Sequence, residues 1–263
     1  MPQQTTECLL LNDPPGPGPW NMAVDEALLQ WSAASERCVC RFYAWAEPTL
    51  SLGYFQNYDQ RDQHTASRQC TAVRRLTGGG AILHDKELTY SLVVPRSHPW
   101  AARRDQLYRD VHGALVAAWA GQGIDAAVID ATGAGQGRAP FLCFQRRSPG
   151  DVVLGPHKIA GSAQRRRSGA VLQHGSVLLR RSPAAPELPG LDDLAGQGRG
   201  GASWLDLWKD LLAERLGFLW QDFALPETCR HRAEQLAATR YTTDAWTIHR
   251  GRTDTIQARR ASE

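Results

Sequence analysis

The chain has 263 residues, of which 42% are hydrophobic and 22% charged, so it can bury a substantial core and is not a disordered chain. Its formal net charge of +3 is too small to argue for nucleic acid and suits an acidic protein partner. No apolar run approaches the roughly 18–20 residues that cross a bilayer, and no basic stretch precedes the short apolar run Leu9 to Leu11, so no membrane span, no secretory leader and a cytoplasmic location are expected.

Prolines and glycines from Pro14 to Pro19 predict an extended entry. A helix follows, with Val24, Ala27, Leu28 and Trp31 on one face and Asp25 and Glu26 in the first turns, where acids suit the helix dipole. Runs rich in β-branched and aromatic residues, 38–45, 49–53, 71–76 and 88–95, read as strands. Asp105 to Gln122 carries the clearest apolar stripe (Leu107, Val111, Ala114, Leu115, Ala118), and Gly123 supplies a stop. A glycine-rich loop of low order is expected between Asp130 and Pro140, then strands at 151–154, 158–164 and 170–179. Arg180 to Gly201 reads as an exposed connection; Leu205, Trp208, Leu212, Leu216 and Leu219 mark a penultimate helix, and Pro226 to Tyr241 a last one. Strands arrive in clusters rather than in steady βαβ alternation, which predicts an α+β fold.

Six cysteines occur, Cys8, Cys38, Cys40, Cys70, Cys143 and Cys229, with no CxxC pair, and Cys38 and Cys40 fall on the same side of a strand. Disulfide frameworks belong to much shorter secreted chains, so most of these are expected to be reduced core residues. His84, His157 and His174 lack the spacing of a zinc site, and no metal is expected.

Three segments could carry chemistry. Arg74 and Arg75 precede Gly78, Gly79 and Gly80, with His84 just beyond. Consecutive glycines let backbone N–H groups approach a carbonyl, carboxylate or phosphate, although a tight turn with two surface arginines has the same pattern. Lys158 opens a strand of small residues, Gly161, Ser162 and Ala163, which leaves room for a narrow ligand; the plainer reading is a solvated lysine at a strand end. Cys143 lies between apolar residues, as inert core thiols do, yet it follows the flexible loop and precedes Lys158, so thiol and cation can share a pocket.

Taken together, RRLTGGGAILHDKELTYSL and KIAGSAQRRRSGAVLQHGSVLL strongly resemble the biotin/lipoate protein ligase superfamily in its lipoate-attachment branch, and NMAVDEALL and RYTTDAWT fit the same family. The likeness runs from about residue 20 to residue 248. Within that family the segment around Cys143, upstream of KIAGSAQ, is similar to the cysteine-dependent octanoyltransferases. The resemblance implies a mixed β-sheet flanked by helices, related to class II synthetases, in a single catalytic domain over 1–250 (core about 36–222) with a polar tail at 251–263. It implies Cys143 as the acyl-thioester nucleophile and Lys158 as the group that favours its thiolate. Arg74, Arg75, Gly78, Gly79, Gly80 and His84 would line the acyl site, with Gly161, Ser162 and Ala163 on the facing strand. His157 stands where the family usually has an arginine before the lysine.

The implied reaction is ping-pong transfer of an octanoyl group from acyl carrier protein to a lysine of a lipoyl domain, of the glycine cleavage H protein type, with no cofactor. Three other readings stay open. An ATP-dependent lipoate–protein ligase would use the same scaffold, although such ligases often carry a further C-terminal domain and little of this chain follows Tyr241. An amidotransferase would relay the acyl group between lipoyl domains, and a carrier-binding module would have kept the fold alone.

Overall fold

The protein is described by a computed structural model covering residues 5–130, 140–198 and 203–251. The expected glycine-rich loop lies outside the described residues apart from its ends. In chain order the elements are β1 (Thr6–Asn12), α1 (Gly18–Ser35), β2 (Cys38–Tyr43), β3 (Thr49–Leu52), β4 (Thr71–Arg74), β5 (Ile82–His84), β6 (Glu87–Val94), α2 (Arg104–Ala120) and β7 (Ala126–Val128). There follow β8 (Val152–Leu154), β9 (His157–Arg167), β10 (Ala170–Leu178), α3 (Leu191–Ala195), α4 (Ser203–Leu216), β11 (Phe218–Asp222), α5 (Glu227–Leu236) and α6 (Asp244–Thr247).

The large sheet has eight strands in the order β11-β1-β2-β6-β10-β9-β8-β7, parallel at the β11-β1-β2 edge and antiparallel thereafter, so it is the mixed sheet of an α+β fold. Alternation of side chains along its strands separates two cores. On one face Cys8, Cys38, Cys40, Phe42, Tyr90 and Leu92 pack under α2 and α4, where Trp204, Trp208 and Trp119 are fully buried. The Phe42 and Tyr90 rings meet Trp208 edge-on at 5.5 and 5.3 Å, contacts worth about 0.5–1.5 kcal/mol each beyond area burial. On the other face Leu9, Leu11, Val39, Val93 and Leu172 pack under α1 and α5.

That second face changes character along β6. Glu87, Thr89 and Ser91 alternate with Leu88, Tyr90 and Leu92, so the polar set faces the same side as Val93, away from the tryptophans. A small sheet, β4-β3-β5, stands over this polar region and carries its own core of Leu50, Leu52, Leu83, Phe141, Leu142 and Phe144. A space for a ligand is thereby left between the small sheet, α1 and the polar part of the large sheet.

Three expectations are corrected. Asp25 and Glu26 do not serve the helix dipole, because α1 begins at Gly18 and both carboxylates are buried in ion pairs. The penultimate helix ends at Leu216: Gly217 turns the chain with φ +71°, and Leu219 sits on β11, 55% exposed. The connection from Arg180 is not simply exposed, since α3 puts Leu191 into the core and Ala185 and Leu188 are buried.

Candidate active site

Cys143 opens a short 3-10 turn, Cys143–Gln145, whose apolar neighbours Phe141, Leu142 and Phe144 are buried in the small-sheet core. Those flanking residues, which resemble the setting of an inert thiol, instead anchor the turn and leave Cys143 partly accessible. Its backbone is fixed against the glycine segment: Cys143 N–H donates to Ala81 O at 2.7 Å, and Ala81 N–H to Phe141 O at 3.1 Å.

Lys158 reaches the thiol from the start of β9, with Nζ 3.7 Å from Cys143 Sγ. Its ammonium is buried and held 2.8 Å from Asp151 Oδ2, with the Phe144 ring centroid 5.3 Å away. Gly161 makes room for this arrangement. A Cβ there would lie 2.5 Å from Lys158 Cε and 2.8 Å from Nζ, closer than non-bonded atoms approach.

Asp151 is in turn held by the sheet's outer helix. Ser148 N–H donates to Oδ2 at 2.7 Å and Tyr108 O–H to Oδ1 at 3.1 Å, while Tyr108 accepts from Ser162 N–H at 3.1 Å. A parallel line of hydrogen bonds has one consistent direction. His112 Nδ1–H donates to Gly150 O at 2.5 Å, so its Nε2 accepts from Ser162 Oγ–H at 2.7 Å. Ser162 Oγ then accepts from Tyr90 O–H at 2.6 Å, and Tyr90 from Gln173 Nε2 at 2.8 Å. Burial pulls His112 down to about 4, which keeps the imidazole neutral as this direction requires. Ser162 is therefore an oriented hydroxyl with both its hydrogen and its backbone N–H committed.

The two adjacent arginines separate, because neighbouring residues at a strand end point to opposite sides. Arg75 lines the cavity and braces the glycine segment: Nη2 donates to Gly78 O and Gly80 O at 2.7 Å, Nε to Thr77 Oγ1 at 3.1 Å, and Nη1 to Ser51 O at 3.0 Å. Burial lowers its guanidinium to about 10, still cationic at neutral pH, and among the described residues no carboxylate is in ion-pair contact with it. Arg74 points away from the cavity. It donates to Gly53 O, Tyr54 O and Gln56 O and, at 2.7 Å, to Thr247 O, so it fastens the C-terminal helix α6 to the loop after β3. Gly80 also lies outside the cavity wall, with its carbonyl on Arg75. The glycine segment rests on Gly53, where a Cβ would lie 2.1 Å from Gly79 O.

The cavity beside Cys143 and Lys158 is walled by Arg75, Gly78, Gly79, His84, Gly161, Ser162 and Ala163, together with Met22, Tyr43, Thr89, His174 and Ser176. Its polar side chains are largely paired with one another. His84 stacks on Trp45 (3.8 Å between centroids) and bonds Glu87 at 2.6 Å and Ser51 Oγ at 2.7 Å. His174 bonds Thr77 Oγ1 at 2.6 Å and Asp25 at 3.1 Å, and Tyr43 O–H donates to Asp25 at 3.0 Å. Burial opposes ionisation of Asp25, but the His174 hydrogen bond and the Arg41 guanidinium 2.9 Å away outweigh it and hold the carboxyl below its usual range. A wall whose donors and acceptors are satisfied internally presents an apolar surface to a ligand.

The structure thus brings Cys143, Lys158, Arg75, Gly78, Gly79, His84, Gly161, Ser162 and Ala163 to one cavity and leaves Arg74 and Gly80 behind it. Asp151, Tyr108, His112, Met22 and Tyr43 were not singled out from the sequence. One signal was available: Tyr108 and His112, four residues apart along the edge of the α2 stripe, place two polar rings against each other at 4.5 Å. No cluster of metal-ligating side chains occurs among the described residues, and none of their helices is long and apolar enough to cross a membrane.

Residues 17–185 match the lipoyl protein ligase A/B catalytic domain, and the chain belongs to that family. Octanoyltransferase LipM of Oceanobacillus iheyensis is 42% identical over 163 residues, 60% of this chain and 59% of that protein, so the chain spans less than two thirds of this relative. Octanoyltransferase LipM of Kyrpidia tusciae is 35% identical over 266 residues, 90% of this chain and 97% of that protein. Among solved structures, a bi-partite lipoate protein ligase from Thermoplasma acidophilum has the same fold, with TM-score 0.71 over 96% of this chain and 100% of that one at 20% identity.

Proposed function

We propose that the chain is an octanoyltransferase of lipoate assembly that carries the acyl group on Cys143, taking it from acyl carrier protein and giving it to a lysine of a lipoyl domain of the glycine cleavage H protein type. The observation that carries this reading is the 3.7 Å approach of Lys158 Nζ to Cys143 Sγ beside the cavity. A ligase has no need of a nucleophilic thiol at that place. The similarity to relatives named octanoyltransferase supports the same reading.

In the first half-reaction the Cys143 thiolate attacks the carbonyl carbon of the octanoyl thioester. The carbon–sulfur bond to the pantetheine arm breaks, and the departing thiolate takes a proton, for which the Lys158 ammonium is the nearest donor to Cys143. In the second, the acceptor amine attacks the Cys143 thioester, an amide bond forms, the Cys143 carbon–sulfur bond breaks, and the amine's proton passes to Lys158. The backbone N–H groups of Gly78 and Gly79 donate to no other backbone atom among the described residues and are available to the oxyanion. No ATP is consumed, because the thioester donor is already activated.

The test is a comparison of two donors on one apo lipoyl acceptor, read by the acceptor's mass. Octanoyl-carrier protein without ATP should modify the acceptor, and free octanoate with ATP should be a poor substitute. The reverse result would make the chain a ligase.

A further inference from the structure

Four cavity residues form one row across the large sheet. Tyr43 on β2 pairs with Thr89 on β6, Thr89 with Ser176 on β10, and Ser176 with Gly161 on β9. Paired residues share a face, so the row is a continuous floor running at right angles to the strands. Gly161 marks its reactive end, because a Cβ there would meet Lys158 Cε at 2.5 Å. Strands are spaced by about 4.8 Å, so Gly161 to Thr89 covers roughly 10 Å. An extended octanoyl chain, at about 1.25 Å advance per C–C bond, is about 9 Å long.

The floor ends at Tyr43. Its ring is held from three directions: its hydroxyl donates to Asp25 at 3.0 Å, the Arg41 guanidinium lies 3.8 Å from its centroid, and Trp45 packs at 6.2 Å. Met22 lines the same cavity from α1, one turn before Asp25, and is 3% exposed. Hydroxyls along the floor do not make it polar. Thr89 and Ser176 both donate to Glu87 Oε1, at 2.6 and 2.8 Å, and Thr89 Oγ1 accepts from Trp45 Nε1 at 2.8 Å. A methylene chain laid over them meets no free donor.

We infer that the acyl chain lies across the strands along Gly161, Ser176 and Thr89, and that Tyr43 and Met22 are its stop, which makes them the residues that set chain length at about eight carbons. This rests on the transferase reading above and adds to it the direction of the chain and the identity of the end wall.

The experiment offers wild type, Met22→Ala and Thr89→Leu an equimolar mixture of hexanoyl-, octanoyl-, decanoyl- and dodecanoyl-carrier protein, without ATP, and reads adduct masses on Cys143. Wild type should favour octanoyl over hexanoyl by roughly fifteenfold, the effect of burying two more methylenes, and should exclude dodecanoyl. Met22→Ala should move the maximum to decanoyl, and Thr89→Leu should move it to hexanoyl. The two variants alter the row from opposite sides, so misfolding of one, seen by circular dichroism, leaves the other to decide. An unchanged octanoyl maximum in the folded variants would overturn the end-wall assignment while leaving the transferase reading intact. Absence of any adduct on wild-type Cys143 would overturn both.

Discussion

Lys158 divides its ammonium between the buried Asp151 at 2.8 Å and the partly accessible Cys143 at 3.7 Å, and the carboxylate fixes where the cation stands relative to the sulfur. Asp151→Asn leaves the ammonium buried without a counter-charge, an arrangement that costs about 3–5 kcal/mol. It should also slow acylation of Cys143 by on the order of tenfold to a hundredfold, since misplacing a reacting group has that effect. The double variant Asp151→Asn, Lys158→Met should regain stability in urea unfolding without regaining acylation. Recovery of both would mean that the pair serves stability alone.

Gly161 touches no reacting atom, yet it holds the space that Lys158 fills. Gly161→Ala puts a methyl group where Lys158 Cε now lies, 2.5 Å from the new carbon, and the flexible end of the lysine must give way. The expected result is a folded protein of near wild-type melting temperature whose single-turnover acylation falls at least roughly tenfold. A wild-type rate would show that Lys158 need not stand beside the sulfur.

His112 makes stability depend on pH with a definite sign. Its folded value is about 4, against an ordinary 6.5 in the unfolded chain, so between those values the unfolded state binds a proton that the native state refuses. Stability from this group is complete above about pH 6.5 and falls as pH drops toward 4, by about 3 kcal/mol at most. Burial lowers His84 and His98 as well, and both act in the same direction. Urea midpoints between pH 4 and 7 should show a slope that is shallower in His112→Gln. The same slope in that variant would remove His112 as its source.

Arg74 and Arg75 should respond differently to substitution despite their adjacency. Arg74→Ala frees the carbonyls of Gly53, Tyr54, Gln56 and Thr247 and should destabilise the chain by about 2–4 kcal/mol, with acylation by the folded fraction little affected. Arg75→Ala releases Gly78 at the cavity wall and Gly80 behind it, and should lower the acylation rate of folded protein. Equal kinetic losses would contradict the division.

Most strands and helices around the site were legible from their periodicity, but β1 was not legible as a strand, because its run Cys8 to Leu11 is buried on both faces and shows no alternation. β6 shows it best, since Glu87, Thr89 and Ser91 alternate with Leu88, Tyr90 and Leu92 along its length. What escaped had physical reasons. β7 and β5 are three residues each, too short for a period, and Leu219 continued the apolar spacing of α4 past a glycine that ends the helix. Asp151 stands at the head of a strand-like run, and nothing local says that its carboxylate faces inward toward a lysine seven residues on. The roles of Arg74 and Arg75 depend on which side of the strand end each faces, which two identical neighbours in sequence do not reveal. Cys143 and Lys158 were legible through the motifs around them, whereas their separation is a product of the fold.

The central claim is that Cys143 carries the acyl group, and the most direct measurement is peptide-mapped mass spectrometry of the protein after incubation with octanoyl-carrier protein alone, with neither ATP nor acceptor present. An octanoyl adduct should appear on the Cys143 peptide, should be absent from Cys70, the other partly accessible cysteine among the described residues, and should disappear when the apo acceptor is added. Cys143→Ser should fold, form no such adduct and leave the acceptor unmodified, because a hydroxyl beside Lys158 is a far weaker nucleophile than a thiolate. An adduct confined to another cysteine, or full transfer by Cys143→Ser, would contradict the account and return Cys143 to an inert thiol at the edge of the small-sheet core.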